Sequence, residues 1–171
     1  GRASGGDAGR TVTVITRRAF LAQAAAAPLL MRSASARAQA PVRVDGAALR
    51  ARIEGLSVFG RPAGGTFADG VSRVAYSDAD LAGRRYVMDL MRAAGLTPRI
   101  DPAGNIFGRR SGREDGLPPI LFGSHIDSVP NGGNFDGDLG SLAALGAIEA
   151  LAQAGVRTRR PLEMVVWSAE E

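Results

Sequence analysis

The sequence contains no cysteine. Disulfides and thiolate metal sites are therefore excluded, and any transition-metal site must be built from imidazole and carboxylate. Imidazole is scarce as well, because His125 is the one histidine among 171 residues. Lysine is missing altogether. All 21 basic residues are arginine, which reads as genome base composition and carries no mechanism. Aromatic residues amount to 5%, too few for a platform on which nucleic-acid bases stack. Long apolar runs are lacking too. The uncharged stretch from Ala19 to Met31 has about 13 residues, against about 20 for a membrane-spanning helix.

A length of 171 residues suffices for one domain with a real core. The net charge of +4 at first suggests a polyanionic partner. Its position argues otherwise. Residues 1–40 hold six arginines and one aspartate, so the remainder carries a net charge of −1. A nearly neutral body has no electrostatic case for binding nucleic acid.

The excess charge belongs to a leader over residues 1–40. Arg17 and Arg18 precede the alanine-rich run, and "SASARAQA" supplies small residues suited to signal-peptidase cleavage. The stretch Thr16–Leu21 resembles a twin-arginine export signal. The expectation is a periplasmic protein with no stable membrane association after processing, or a cytoplasmic one if the leader is not used. The chain starts at Gly1, so upstream read-through in a partial sequence is also expected.

Residues 41–171 alternate helical and strand patterns, which indicates an α/β layer fold. "GAALRARIEGLSVFG" (46–60) reads as a short helix and "RPAGGTFADGVSR" as a loop. "SDADLAGRRYVMDLMRAAG" is a helix with Ser77 as N-cap and Gly95 as its stop. Residues 97–110 predict two short strands joined by a turn at 102–105. "ILFGSH" and "LEMVVW" are expected to be buried strands flanking the small-residue helix of "LGSLAALGAIEALAQAG". As the last strand, "LEMVVW" is expected to leave an exposed apolar sheet edge.

The chemistry concentrates in "GSHIDSVPNGGNFDGDLG" and "WSAEE". His125 ends an apolar strand, where functional groups of open α/β sheets gather. Asp127, two residues on, shares its side if the chain stays extended, as a carboxylate orienting a ligating imidazole requires. A calcium loop counted from Asp136 fails, because its twelfth residue is Ala147 and not glutamate. No Gly-Lys-Ser/Thr phosphate loop and no G-x-G-x-x-G follows a strand. Asp136 is left as a carboxylate delivered by a glycine-rich turn just ahead of a helix. Glu170 and Glu171 follow the second strand. Their side chains are expected to diverge, which lets one bind a cation while the other handles protons. The bland alternative for each motif is a solvated turn or strand end.

Taken together, "AYSDADLAGRRYVMDLMRAAGLTPRIDPAGNIFGR", "GSHIDSVPNGGNFDGDLG" and the glutamate pair resemble the amidase/hydantoinase/carbamoylase branch of the dinuclear zinc aminoacylase and carboxypeptidase superfamily. The resemblance runs from about Gly46 to Glu171. It implies a three-layer zinc-peptidase-like catalytic domain with a mixed sheet, of which this chain is the incomplete N-terminal part. It also implies a small-molecule amide or ureido substrate and a homodimer at full length. Two divalent ions are implied, zinc or manganese, with cobalt or nickel as alternatives. By the same resemblance His125 matches a ligand of one ion and Asp127 the carboxylate that orients it. Asp136 matches the bridging carboxylate, Glu170 the general base, and Glu171 a ligand of the second ion. The implied reaction is hydrolysis of a C–N bond by water activated between the ions. Further ligands are expected downstream, so the chain alone is expected to be inactive. "SAEE" stands where relatives often carry Asn before the glutamates, and a leader is unusual among them. A non-catalytic exported binding module with the same fold is the competing reading.

Overall fold

Asp45 opens the first helix. Its carboxylate accepts the main-chain N–H groups of Ala47 and Ala48 at 2.9 and 3.0 Å, so donors that a helix start leaves unpaired are satisfied. In this computed structural model, which describes residues 41–171, helix α1 covers Gly46–Leu56. It stops short of the expected Gly60. Ser57 Oγ bonds back to the Glu54 carbonyl at 2.7 Å, a local bond that competes with helix continuation. A 3₁₀ turn, Phe67–Asp69, lies in the loop that follows.

Helix α2 spans Asp78–Ala93. Ser77 caps it by accepting the Asp80 N–H at 3.2 Å. Its end is a Schellman motif: Gly95 N–H reaches Arg92 O and Leu96 N–H reaches Met91 O, both at 2.9 Å. Strands β1 (Thr97–Ile100) and β2 (Ile106–Arg110) form an antiparallel pair with Ile100 opposite Ile106. Asp101 ties the connecting turn by accepting the N–H groups of Ala103 and Asn105. Then come β3 (Ile120–His125), helix α3 (Asp138–Gln153) and β4 (Leu162–Trp167).

The sheet order is β1-β2-β4-β3. β3 pairs parallel with β4 and the other pairs are antiparallel, so the sheet is mixed. The three helices of the described residues contribute to one core on one sheet face. Ile53 and Leu56 of α1, Val87 and Met91 of α2, and Leu142, Leu145 and Ile148 of α3 meet Ile106, Leu162, Met164 and Val166. Each fully buried aliphatic side chain contributes on the order of 1.5–3 kcal/mol. Residues 42–171 form one compact unit.

On the other face Arg99 sits 3.9 Å above the Phe107 ring and bonds Glu163 at 3.0 Å, while Trp167 meets the Phe107 ring at 84°. Among the described residues no helix packs there, so two of the three expected layers are present. Two expectations about edges need correction. β4 is central, not an edge. β3 is not a buried strand: Ile120 and Leu121 are 50% and 45% exposed. An apolar run shows preference for an interior, but among the described residues β3 has a neighbour on one side only. The expected leader, residues 1–40, lies outside the described residues. Among those described, no helix is long and apolar enough to cross a membrane.

Candidate metal centre

Parallel pairing brings the carboxyl ends of β3 and β4 to the same sheet edge. The register sets His125 opposite Trp167, so the residues just past Trp167 reach the imidazole. Two close approaches make this possible. Gly123 lies where an added Cβ would fall 1.9 Å from Val165 O, so only glycine lets the strands pair here. Gly137, at φ 63°, runs its backbone against the His125 ring, and a Cβ there would lie 2.5 Å from Cε1.

His125 is 5% exposed. Its Nδ1 lies 3.0 Å from the Asp127 main-chain carbonyl. A carbonyl only accepts, so Nδ1 carries the proton and Nε2 keeps its lone pair for a ligand. Nε2 faces carboxylates: Glu170 Oε2 at 3.4 Å and Asp136 Oδ1 at 3.9 Å. Ser141 Oγ donates to the His125 carbonyl at 2.9 Å, which fixes the strand end to α3.

Asp127 is 3% exposed. Its Oδ2 accepts the Glu171 N–H at 3.2 Å and so joins the two strand ends. Its Oδ1 lies 3.7 Å from His125 Nδ1 and has no hydrogen-bond partner. The carboxylate thus stands beside the imidazole, while the main-chain carbonyl makes the bond.

Donor atoms of His125, Glu170 and Glu171 lie within 4.8 Å of one another. The adjacent glutamates converge instead of diverging. Ala169 adopts φ 55°, and this left-handed turn brings both carboxylates back toward the ring. Loss of solvent pushes the Glu171 carboxyl up, and the neighbouring Asp136 carboxylate raises it further. One imidazole with exposed, mutually repelling carboxylates is a donor set that fits a divalent cation. The orphaned Asp127 Oδ1 adds a buried oxygen acceptor beside it.

Every sequence-derived site residue therefore reaches this edge. The tight set contains Glu170, expected to act on protons, while Asp136 approaches from the helix side with its side chain 77% exposed. The sequence reading missed Ala169, Gly137 and Arg73. Alanine carries no signal for a left-handed turn. Gly137 was one of several glycines, and Arg73 lay in a stretch read as a loop. Residues 67–70 and 131–135 line an open depression of about 400 Å³, and this lining ends one residue before Asp136.

Residues 105–171 match Peptidase family M28. A ureidoglycolate hydrolase from Arabidopsis thaliana is 43% identical over 128 residues, covering 75% of this chain and 26% of that protein. An N-carbamoyl-L-amino-acid amidohydrolase from Pseudomonas sp. is 42% identical over 123 residues, or 72% of this chain and 29% of that protein. The crystal structure of a hydantoinase/carbamoylase family amidase from Burkholderia ambifaria superposes with a TM-score of 0.70 at 40% identity, covering 76% of this chain and 31% of that one. The chain is related to the hydantoinase/carbamoylase amidases. It corresponds to their N-terminal part and spans less than a third of the length of these relatives. The mixed sheet with helices on it is that family's zinc-peptidase-like fold.

Proposed function

We propose that the whole protein hydrolyses C–N bonds in N-carbamoyl amino acids, ureido acids or related amides with the help of divalent cations. The observation that carries this reading is the convergence of His125, Glu170 and Glu171 where two parallel strands end. The names of the relatives supply the substrate class.

In this reading His125 Nε2, Asp136 and Glu171 would hold the divalent cations, zinc or manganese. Bound cations supply Lewis acidity, lowering the pKa of water and polarising a carbonyl. The protein's own groups do the rest. Asp127 holds the Glu171 main chain, and its carbonyl keeps the His125 proton on Nδ1. The Glu170 carboxylate takes a proton from the attacking water and delivers it to the leaving nitrogen. The open depression has the size of a small-molecule site.

Purified whole protein should release ammonia from N-carbamoyl-L-amino acids or ureido acids. Chelator dialysis should abolish the activity, and zinc or manganese should restore it. Full turnover after complete metal removal would overturn the reading.

A further inference from the structure

Arg73 is buried to 1% exposure, and every side-chain nitrogen is engaged. Nε donates to Ile126 O at 2.5 Å. Nη1 donates to Leu56 O at 3.1 Å, the last carbonyl of α1, and to Phe59 O at 2.9 Å in the turn that follows. Nη2 donates to both carboxylate oxygens of Asp138 at 2.7 and 2.6 Å. The main chain adds two bonds to one residue: Arg73 N–H to Ser128 Oγ at 2.9 Å, and Ser128 N–H to Arg73 O at 3.0 Å. Gly83 on α2 leaves the room, because a Cβ there would sit 3.0 Å from Arg73 Cδ.

The partners are placed with a pattern. Ile126 and Ser128 flank Asp127, and Ile126 follows His125. Asp138 lies two residues after Asp136 and opens α3. One guanidinium therefore grips both arms of the segment that runs from His125 to Asp136, and it anchors them to α1. None of its atoms is accessible to a substrate.

We propose that Arg73, paired with Asp138, is a positioning residue that fixes the spacing of His125 and Asp136 for cation binding. The inference rests on the metal-centre reading above. Stability alone is a poor reason for such a pair. A buried ion pair is often no more stabilising than apolar residues of the same volume, because both charges lose their hydration. An apolar pair has no directional bonds to Ile126 O on one arm and to the helix start on the other. Ligand geometry must be held to within about 0.5 Å, and loss of groups that orient ligands typically weakens metal binding about 10–100-fold.

The test uses cobalt(II) as the probe in the whole protein. Arg73→Met with Asp138→Leu removes both charges together and leaves neither buried alone. Arg73→Lys keeps the charge and loses the fork. For both variants the circular dichroism spectrum should stay near wild type. The melting midpoint in chelator should fall, because the Ile126 and Phe59 carbonyls lose a donor. Affinities are therefore compared well below both midpoints. Cobalt affinity should fall about 10–100-fold, and the visible cobalt band should change shape. Lysine should not rescue, since charge alone is not the requirement. A folded variant with wild-type cobalt affinity and band overturns the positioning role. If the double variant does not fold, the lysine variant decides; if neither folds, the pair is a folding determinant and the proposal is overturned. Wild-type protein that binds no cobalt overturns the metal-centre reading, and this inference with it.

Discussion

His125 has one ring nitrogen committed to a main-chain carbonyl and one aimed at carboxylates. The division of labour between the glutamates is the first consequence to test. In the whole protein, Glu170→Gln should keep metal content and lower turnover by about a hundredfold or more, as loss of a general base does. Glu171→Gln should lower metal occupancy as well. Metal analysis beside kinetics distinguishes them; a metal-free Glu170→Gln protein and a fully active Glu171→Gln protein would reverse the roles. The raised pKa of Glu171 gives a sign for pH dependence. A carboxyl held above the usual glutamate value of about 4.3 is protonated earlier as pH falls, and the proton competes with the cation. Equilibrium zinc binding should therefore weaken on acidification before pH reaches that ordinary range, and Glu171→Gln should flatten this part of the profile. Zinc affinity independent of pH down to that range would contradict the assignment. These residues were legible because residue type and strand-end position coincide. The convergence of the glutamates was not, since Ala169 has no side-chain feature that favours its positive φ.

At the scale of elements, "ILFGSH" and "LEMVVW" predicted their strands to the residue. Short apolar runs bounded by turn residues have few other solutions. What the runs could not reveal was sheet order. "ILFGSH" looked interior and "LEMVVW" was expected to leave an edge, yet among the described residues β4 is central and β3 has one neighbour, because order depends on long-range pairing that no local pattern encodes. The turn into α3 carries a prediction. Gly137→Ala places a methyl group against the imidazole and forces alanine into φ 63°. The helix and sheet should persist by circular dichroism while cobalt affinity falls at least about tenfold, a loss typical of disturbed ligand orientation. Gly133→Ala is the control, since a Cβ there meets nothing within 4 Å. Equal affinity in both variants would show that the contact between Gly137 and the ring is unimportant.

For the whole molecule, charge partition was the most informative quantity in the sequence. Six arginines and one aspartate in residues 1–40 leave a nearly neutral body. We propose that this segment directs export by a twin-arginine route, which carries folded proteins. A fusion of residues 14–45 to a reporter should reach the periplasm, and Arg17→Lys with Arg18→Lys should retain it in the cytoplasm. Cytoplasmic retention of the unmodified fusion would refute the route.

Parallel pairing of β3 with β4 has a consequence for the order in which the chain folds. Helices α1 and α2 and the β1–β2 hairpin close through local contacts and can form early. The β3–β4 pair joins segments about 40 residues apart, and such non-local pairing is intrinsically slow. His125 and the glutamates meet only when that pair has formed. A nascent or half-folded chain therefore carries the donors but not the centre. On the proposed reading, cation capture would be a late event that reports the formed β3–β4 pair.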